Sequence, residues 1–437
     1  MRLILTTVLA LVTLLAPRLR AQDVLEVRAR QAAALIAAEP TWPDDLFDPA
    51  FLKQVPPAQL RSIGKDFHAK TGALVELQLA QRKGAYAGVF DMILAKEQVV
   101  PLTITVSEKA PNSIVGLFFG LPAPMLKDVA AVVEALKKLP GRVSFAAWKL
   151  GGKEPEVLAE LAPDEPLAIG SAFKLYVLGA LARDVAAKKR ALADVVTLDV
   201  RHRSLPSGQM QSWPVGMPVT LAGLASMMIS ISDNTATDHL LAALGRENVE
   251  ALLAPMGNAH PERSLPFLAT HELFRLKMTR GGHGADEYAK LDLAAKRAYL
   301  TKEVATWPLD EANVDHGAFA APNRIDTLEW FASASDLCRA MDWLRLNTES
   351  GPAAAVREVL AINRGLDVSK ELFPWCGFKG GSEPGVLNLT YLLKSKSGAW
   401  YALSAGWNDP KDNVDEARFM SLIQRALYVL GRQAAGL

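Results

Sequence analysis

A serine three residues before a lysine, Ser171 and Lys174, stands where an apolar helix begins in LAIGSAFKLYVLGAL. A hydroxyl is a poor nucleophile until a base takes its proton. On a helix the residue at i+3 lies beside residue i, so the Lys174 amine can be that base when it is neutral. Burial and a second cation both push a lysine towards neutrality. A helix start also places free backbone N–H groups near a developing negative charge. The same spacing recurs at Ser62 and Lys65 in RSIGKDF. A pattern fixing two positions arises by chance about once or twice in a chain of this length, so partners elsewhere must decide.

Ser171 has such partners. Ser232-Asp233-Asn234 stands in MMISISDNTATDHLLAALG, and Lys379-Gly380-Gly381-Ser382 in CGFKGGSEPGVL, on an expected strand. Alone, the first reads as a helix N-cap, because Ser, Asp and Asn all cap helices. Alone, Lys379 reads as a solvent-facing strand lysine. Together, S-x-x-K, S-D-N and a K-T-G-like triplet in this order form the pattern of class A β-lactamases and penicillin-binding proteins. The chain from about Pro122 onward therefore resembles the class A β-lactamase family. PVTLAGLASMMISISDNTATDHLLAALG also resembles that family's helix pair around the S-D-N turn.

The resemblance implies an α/β (α+β) domain, with an antiparallel sheet and a helical subdomain, working through an acyl-enzyme on Ser171. Lys174 would be the base, and Ser232 would relay a proton to the leaving nitrogen. Asn234, Lys379 and Gly381 would meet the substrate, and Asp233 would brace the turn. The backbone N–H groups of Ser171 and Ser382 would form the oxyanion hole. No metal or cofactor is implied.

Two departures stand out. The middle residue of K-T-G, whose hydroxyl helps to bind a β-lactam carboxylate, is Gly380 here. The family's deacylating loop pattern, ExxLN, is absent between Asn234 and Lys379. The closest fragment is PLDEANVDHG, and Glu311 within it is the candidate base for the deacylating water. An insertion around RLKMTRGGHGADEYAKLDLAAKRAYL lengthens this interval, and LEWFASASDLCRAMDWL is then expected to be the helix after the loop.

The elements that must position these groups follow from periodicity. Helical patterns in VRARQAAALIAAEP and PPAQLRSIGKDFHAKTG, the second stopped by Gly72, precede a switch to period 2. ALVELQLAQR, YAGVFDMILA, VPLTITVSE and SIVGLFFGLP then read as successive strands. Residues 22–122 are thus expected to be a small α+β domain resembling the NTF2/ketosteroid-isomerase-like and cystatin-like cone, and residues 123–437 the serine hydrolase domain. The pairing resembles the two-domain β-lactamase-like proteins of the clavulanic acid pathway and their exported bacterial relatives. In the second domain RVSFAAWKL and EVLAELAPD should share a sheet with FPWCGFKGG, VLNLTYLLKS and AWYALSAGW, before a last amphipathic helix.

Composition narrows the partners. The 437 residues carry 48 Lys+Arg and 47 Asp+Glu, with no long basic run, which argues against nucleic acid. Arg2, the apolar run Leu3 to Leu15 and a small residue at Ala21 read as a signal peptide over residues 1–21, hence an exported, periplasmic or extracellular protein. That run is shorter than the ~20 residues a membrane span needs. Cys338 and Cys376 read as buried apolar residues rather than a disulfide framework, and the scattered histidines give no zinc pattern.

The expected partner is a small acyl donor, a β-lactam or ester, met by a serine hydrolase whose deacylation is slow. The alternatives are a penicillin-binding-type peptidase or esterase, and an acylable sensor with little turnover. The N-terminal domain supplies no catalytic motif and reads as a scaffold.

Overall fold

The computed structural model describes residues 24–309 and 313–436. The signal-like segment and Glu311 lie outside them. The chain divides into two compact units, one through Met125 and one from Leu126.

The first unit begins with helices α1 (Val24–Ala33), α2 (Pro49–Gln54) and α3 (Pro57–Thr71). Gly72 ends α3 at φ +83°, a conformation only glycine adopts freely. Strands β1 (Leu74–Arg82), β2 (Ala87–Leu94), β3 (Gln98–Val106) and β4 (Ile114–Phe119) form an antiparallel meander, with β5 (Ala123–Pro124) beside β3. Leu25, Phe90, Met92, Val100, Leu102 and Ile104 fill its core. Ser62 and Lys65 lie exposed on α3, where Lys65 pairs with Glu39 at 3.0 Å. This S-x-x-K match has no catalytic company.

The second unit is an antiparallel sheet with a helical subdomain. After α4 (Val129–Leu136) come β6 (Arg142–Leu150), β7 (Glu156–Leu161) and the short β8 (Leu167–Ala168). Then follow α5 (Lys174–Ala186), the ribbon β9 (Val195–Thr197) and β10 (Pro218–Thr220), and helices α6 (Leu221–Ser230), α7 (Asn234–Leu244) and α8 (Arg246–Glu250). Next are α9 (Thr270–Met278), α10 (His283–Ala289) and α11 (Leu293–Lys302). The short β11 (Phe331–Ala332) pairs with β8 and leads into α12 (Ala334–Asn347) and α13 (Ala354–Leu360). The chain closes with β12 (Trp375–Glu383), β13 (Val386–Lys394), β14 (Trp400–Asn408) and α14 (Glu416–Ala434).

The main sheet runs β12-β13-β14-β6-β7, so strands from both ends of the unit share it. One core lies between the sheet and α5, α6, α7 and α12; a second lies under α4 and α14. The expected helix over Leu328 to Leu344 starts later, at Ala334, with Ser333 as its N-cap. Phe331 and Ala332 are held extended instead by pairing with Ala168 and Leu167. Cys338 and Cys376 are both buried free thiols.

Candidate active site

Ser171 sits in a single 3-10 turn, Gly170–Phe173, which runs directly into α5. Nearly every side chain of α5 is buried, including Lys174 itself. A helix apolar on all sides belongs in a core, and this one carries its lysine there with it. The Lys174 Nζ lies 3.2 Å from Ser171 Oγ, 3.0 Å from Ser232 Oγ and 2.7 Å from both Ser232 O and Asn234 Oδ1. Burial, then the nearby Lys379 cation, holds its pKa well below that of an ordinary lysine, against the pull of Asp238 and Asp233. Among the described residues no carboxylate is hydrogen-bonded to it. A neutral amine has two N–H groups and one lone pair. The two 2.7 Å acceptors take the N–H groups, and the lone pair is left for a serine proton.

The turn carrying Ser232 is built to hold an unfavourable backbone. Ser232 has φ +59°, a left-handed conformation that costs a non-glycine residue about 1–3 kcal/mol. Asp233 overcomes it from the next position. Its Oδ1 accepts from Ala236 N at 2.8 Å, capping α7, and its Oδ2 accepts from Gln209 N at 2.6 Å and Met210 N at 2.9 Å. The N-cap role and the site role thus coexist in one tripeptide, divided between its residues.

Lys379 stands on β12, the edge strand of the sheet, and is buried rather than solvent-facing. It donates to Ser232 Oγ at 3.1 Å and to Gly380 O at 2.6 Å, and burial brings its pKa down to about 7. Gly381 explains how β12 comes so close to the nucleophile. A Cβ there would fall 2.1 Å from Ile169 O and 2.4 Å from Ser171 N. Only glycine lets the strand lie against the Ser171 amide, and it brings Ser382 to the same edge. Past Ser382, Glu383 is tied down by the buried Lys277, which also bonds Glu329. Burial and the facing Glu329 carboxylate raise Glu383 well above the usual carboxylate range.

A cleft of about 500 Å³ opens over these groups, lined by Ser171, Ser232, Asn234, Lys379, Gly381 and Ser382. The three motifs therefore meet in one place.

Residues 125–304 match the model of the beta-lactamase enzyme family. Similar solved structures include a β-lactamase from Sphaerobacter thermophilus DSM 20745, at 22% identity over 70% of this chain and 96% of that one, TM-score 0.47. A class A β-lactamase from Mycobacterium abscessus is 15% identical over 71% and 100%, TM-score 0.47. The protein PBP-A is 14% identical over 71% and 96%, TM-score 0.48. No curated protein matches the chain.

The second unit also holds groups that pattern reading missed. The segment from Pro261 to His271 packs on the residues behind the site. Phe267 meets the Phe173 ring at 5.6 Å, and Trp330 stacks on that ring at 3.8 Å. Thr270 and His271 close on Asp238, one helical turn after Asn234. Phe274, Phe319, Phe378 and Met420 line the cleft itself. Phe378 precedes Lys379 and could have been noticed; the others are brought in only by tertiary packing. Among the described residues no cluster of His, Cys, Asp and Glu is placed to hold a metal, and no helix is long and apolar enough to cross a membrane.

Proposed function

We propose that the second unit is a serine acyl-transfer hydrolase acting on a β-lactam or ester, and that it releases its acyl group slowly. The observation that carries this reading is the Lys174 amine, buried, without a carboxylate partner among the described residues, and within bonding distance of two serine hydroxyls. Neutral Lys174 takes the Ser171 Oγ proton as Oγ attacks the carbonyl carbon. The amides of Ser171 and Ser382 hold the oxyanion, a term commonly worth 10²–10³ in rate per donor. When the carbon–nitrogen or carbon–oxygen bond breaks, the proton passes through Ser232 Oγ to the leaving atom. Asn234 meets the substrate amide and Lys379 supports Ser232.

Slow release rests on the lack of the ExxLN pattern between Asn234 and Lys379. Among the described residues no carboxylate is hydrogen-bonded to Lys174. Glu311 is the candidate that would activate water. A second reading, an acylable sensor, draws on the same observation. The pattern of residues 1–21 supports export. The first unit, read as an NTF2-like scaffold over residues 22–122, supplies none of the acyl-transfer groups.

Intact-protein mass spectrometry after exposure to β-lactams and short esters tests the reading. Ser171→Ala is expected to abolish covalent labelling, and Ser62→Ala to leave it intact. Adducts that survive Ser171→Ala would place the nucleophile elsewhere.

A further inference from the structure

The wall of the cleft beyond Lys379 is mainly apolar, with Ser382 and Asn388 as its polar side chains. Phe378, Leu387, Leu389 and Met420 line it. A Cβ on Gly380 would lie 2.9 Å from Phe378 Cζ, 3.0 Å from Asn388 O and 3.5 Å from Leu389 Cδ2. The hydroxyl that a threonine would present here is missing, and the Phe378 ring closes its place. Among the described residues lining the cleft, Lys379 is the one cation. Its amine already serves Gly380 O and Ser232 Oγ, and burial disfavours its charged form. Asn363 is spent too: it donates to Ser230 O at 2.9 Å and accepts from Gly365 N at 2.8 Å. A carboxylate set against the Phe378 and Met420 side would lose water with only the already engaged Lys379 to pair it, which is costly, whereas an apolar group there is favoured.

Resting on the acyl-transfer reading, we infer that the substrate is uncharged and apolar on the side that faces Gly380 and Phe378: a β-lactam or ester whose leaving portion carries no free carboxylate. The chemistry at Ser171 is unaltered by this. The Oγ–carbon bond forms, the bond to the leaving atom breaks, and the Oγ proton ends on that atom. The carboxylate or its ester takes no part.

The test compares penicillin G with its methyl ester on the full chain. These share the acyl group and ring and differ in the charge. Acylation of Ser171 is timed by intact mass, and each rate is divided by the compound's own alkaline hydrolysis rate. The ester is expected to react about tenfold faster, the smallest penalty typical of one unpaired buried charge. The acid reacting as fast or faster would overturn the inference and leave the acyl-transfer reading standing. Neither compound labelling Ser171 would overturn that reading itself. Met420→Arg puts a cation on the half-buried face of α14 that borders the cleft. With its fold verified by thermal unfolding, it is expected to lower the ester-to-acid ratio about fivefold or more. An unchanged ratio in the folded variant assigns the discrimination to another surface and overturns the role of this wall. Should the variant not fold, the wild-type comparison decides alone.

Discussion

Lys174 is kept neutral by two agents of different kind. Burial disfavours the ammonium outright, and Lys379 adds repulsion across the shared Ser232 hydroxyl. A lysine whose pKa falls is deprotonated, and so active as a base, above that lowered value; acylation is therefore lost as pH drops through it. Removing Lys379 removes the repulsive charge and lets Lys174 hold its proton to higher pH. Lys379→Ala is thus expected to move the acid limb of the acylation profile upward, measured by single-turnover labelling from pH 5 to 10. A limb that stays in place would show that burial alone sets the lysine. The same variant weakens the relay through Ser232, so the plateau rate should fall as well, by about 10²-fold as for a lost proton-transfer partner. The two readouts are separable, because one is a position on the pH axis and the other a height.

At the scale of elements, the site is a contact between one strand and one helix start. β12 is an edge strand, free on one side to meet Ser171, and Gly381 sets the distance. Gly381→Ala puts a methyl group against backbone at Ile169 and Ser171, which no side-chain rotation relieves. The strand must back away and take Ser382 with it. Acylation is expected to fall about 10²–10³-fold, the usual cost of an oxyanion donor, with binding much less affected. Single-turnover rates against dissociation constants check this, and a loss confined to binding would contradict it. Much of this geometry was legible in the chain. The period-2 strands, the glycine after α3 and the sheet shared by both ends of the second unit all follow from local patterns whose packing does not conflict with them. Two kinds of feature were not legible. Phe331 and Ala332 have a helical context but are pulled into a bridge with β8. Phe267 and Met420 carry no local signal, because their meaning comes only from residues distant in the chain that they meet, Phe173 for the one and the cleft for the other.

Across the second unit, the described residues gather the groups proposed for acylation and hydrogen-bond no carboxylate to Ser171 or Lys174. Among the described residues, the groups hydrogen-bonded around Ser171 and Lys174 are a lysine, serines and an amide. Phe267 and Trp330 pack on the buried Phe173 ring, in the core behind the 3-10 turn that carries Ser171. Water activation needs a base aimed at a water beside the acyl carbonyl. Lys174 can offer one only after returning its proton, and it is already held by Asn234 and Ser232 O. A classical penicillin is therefore expected to give a burst of about one equivalent of product followed by a slow phase, with the adduct visible by mass throughout. Glu311 precedes the stretch whose Phe319 reaches the cleft, and is the carboxylate proposed to carry what turnover there is. Glu311→Gln keeps the size and removes the base. It is expected to lengthen the adduct's lifetime about 10-fold or more while the burst rate stays the same, the signature of a lost general base in the second step only. If burst and slow phase both keep their wild-type rates, Glu311 plays no part, and release depends on Lys174 regaining its lone pair.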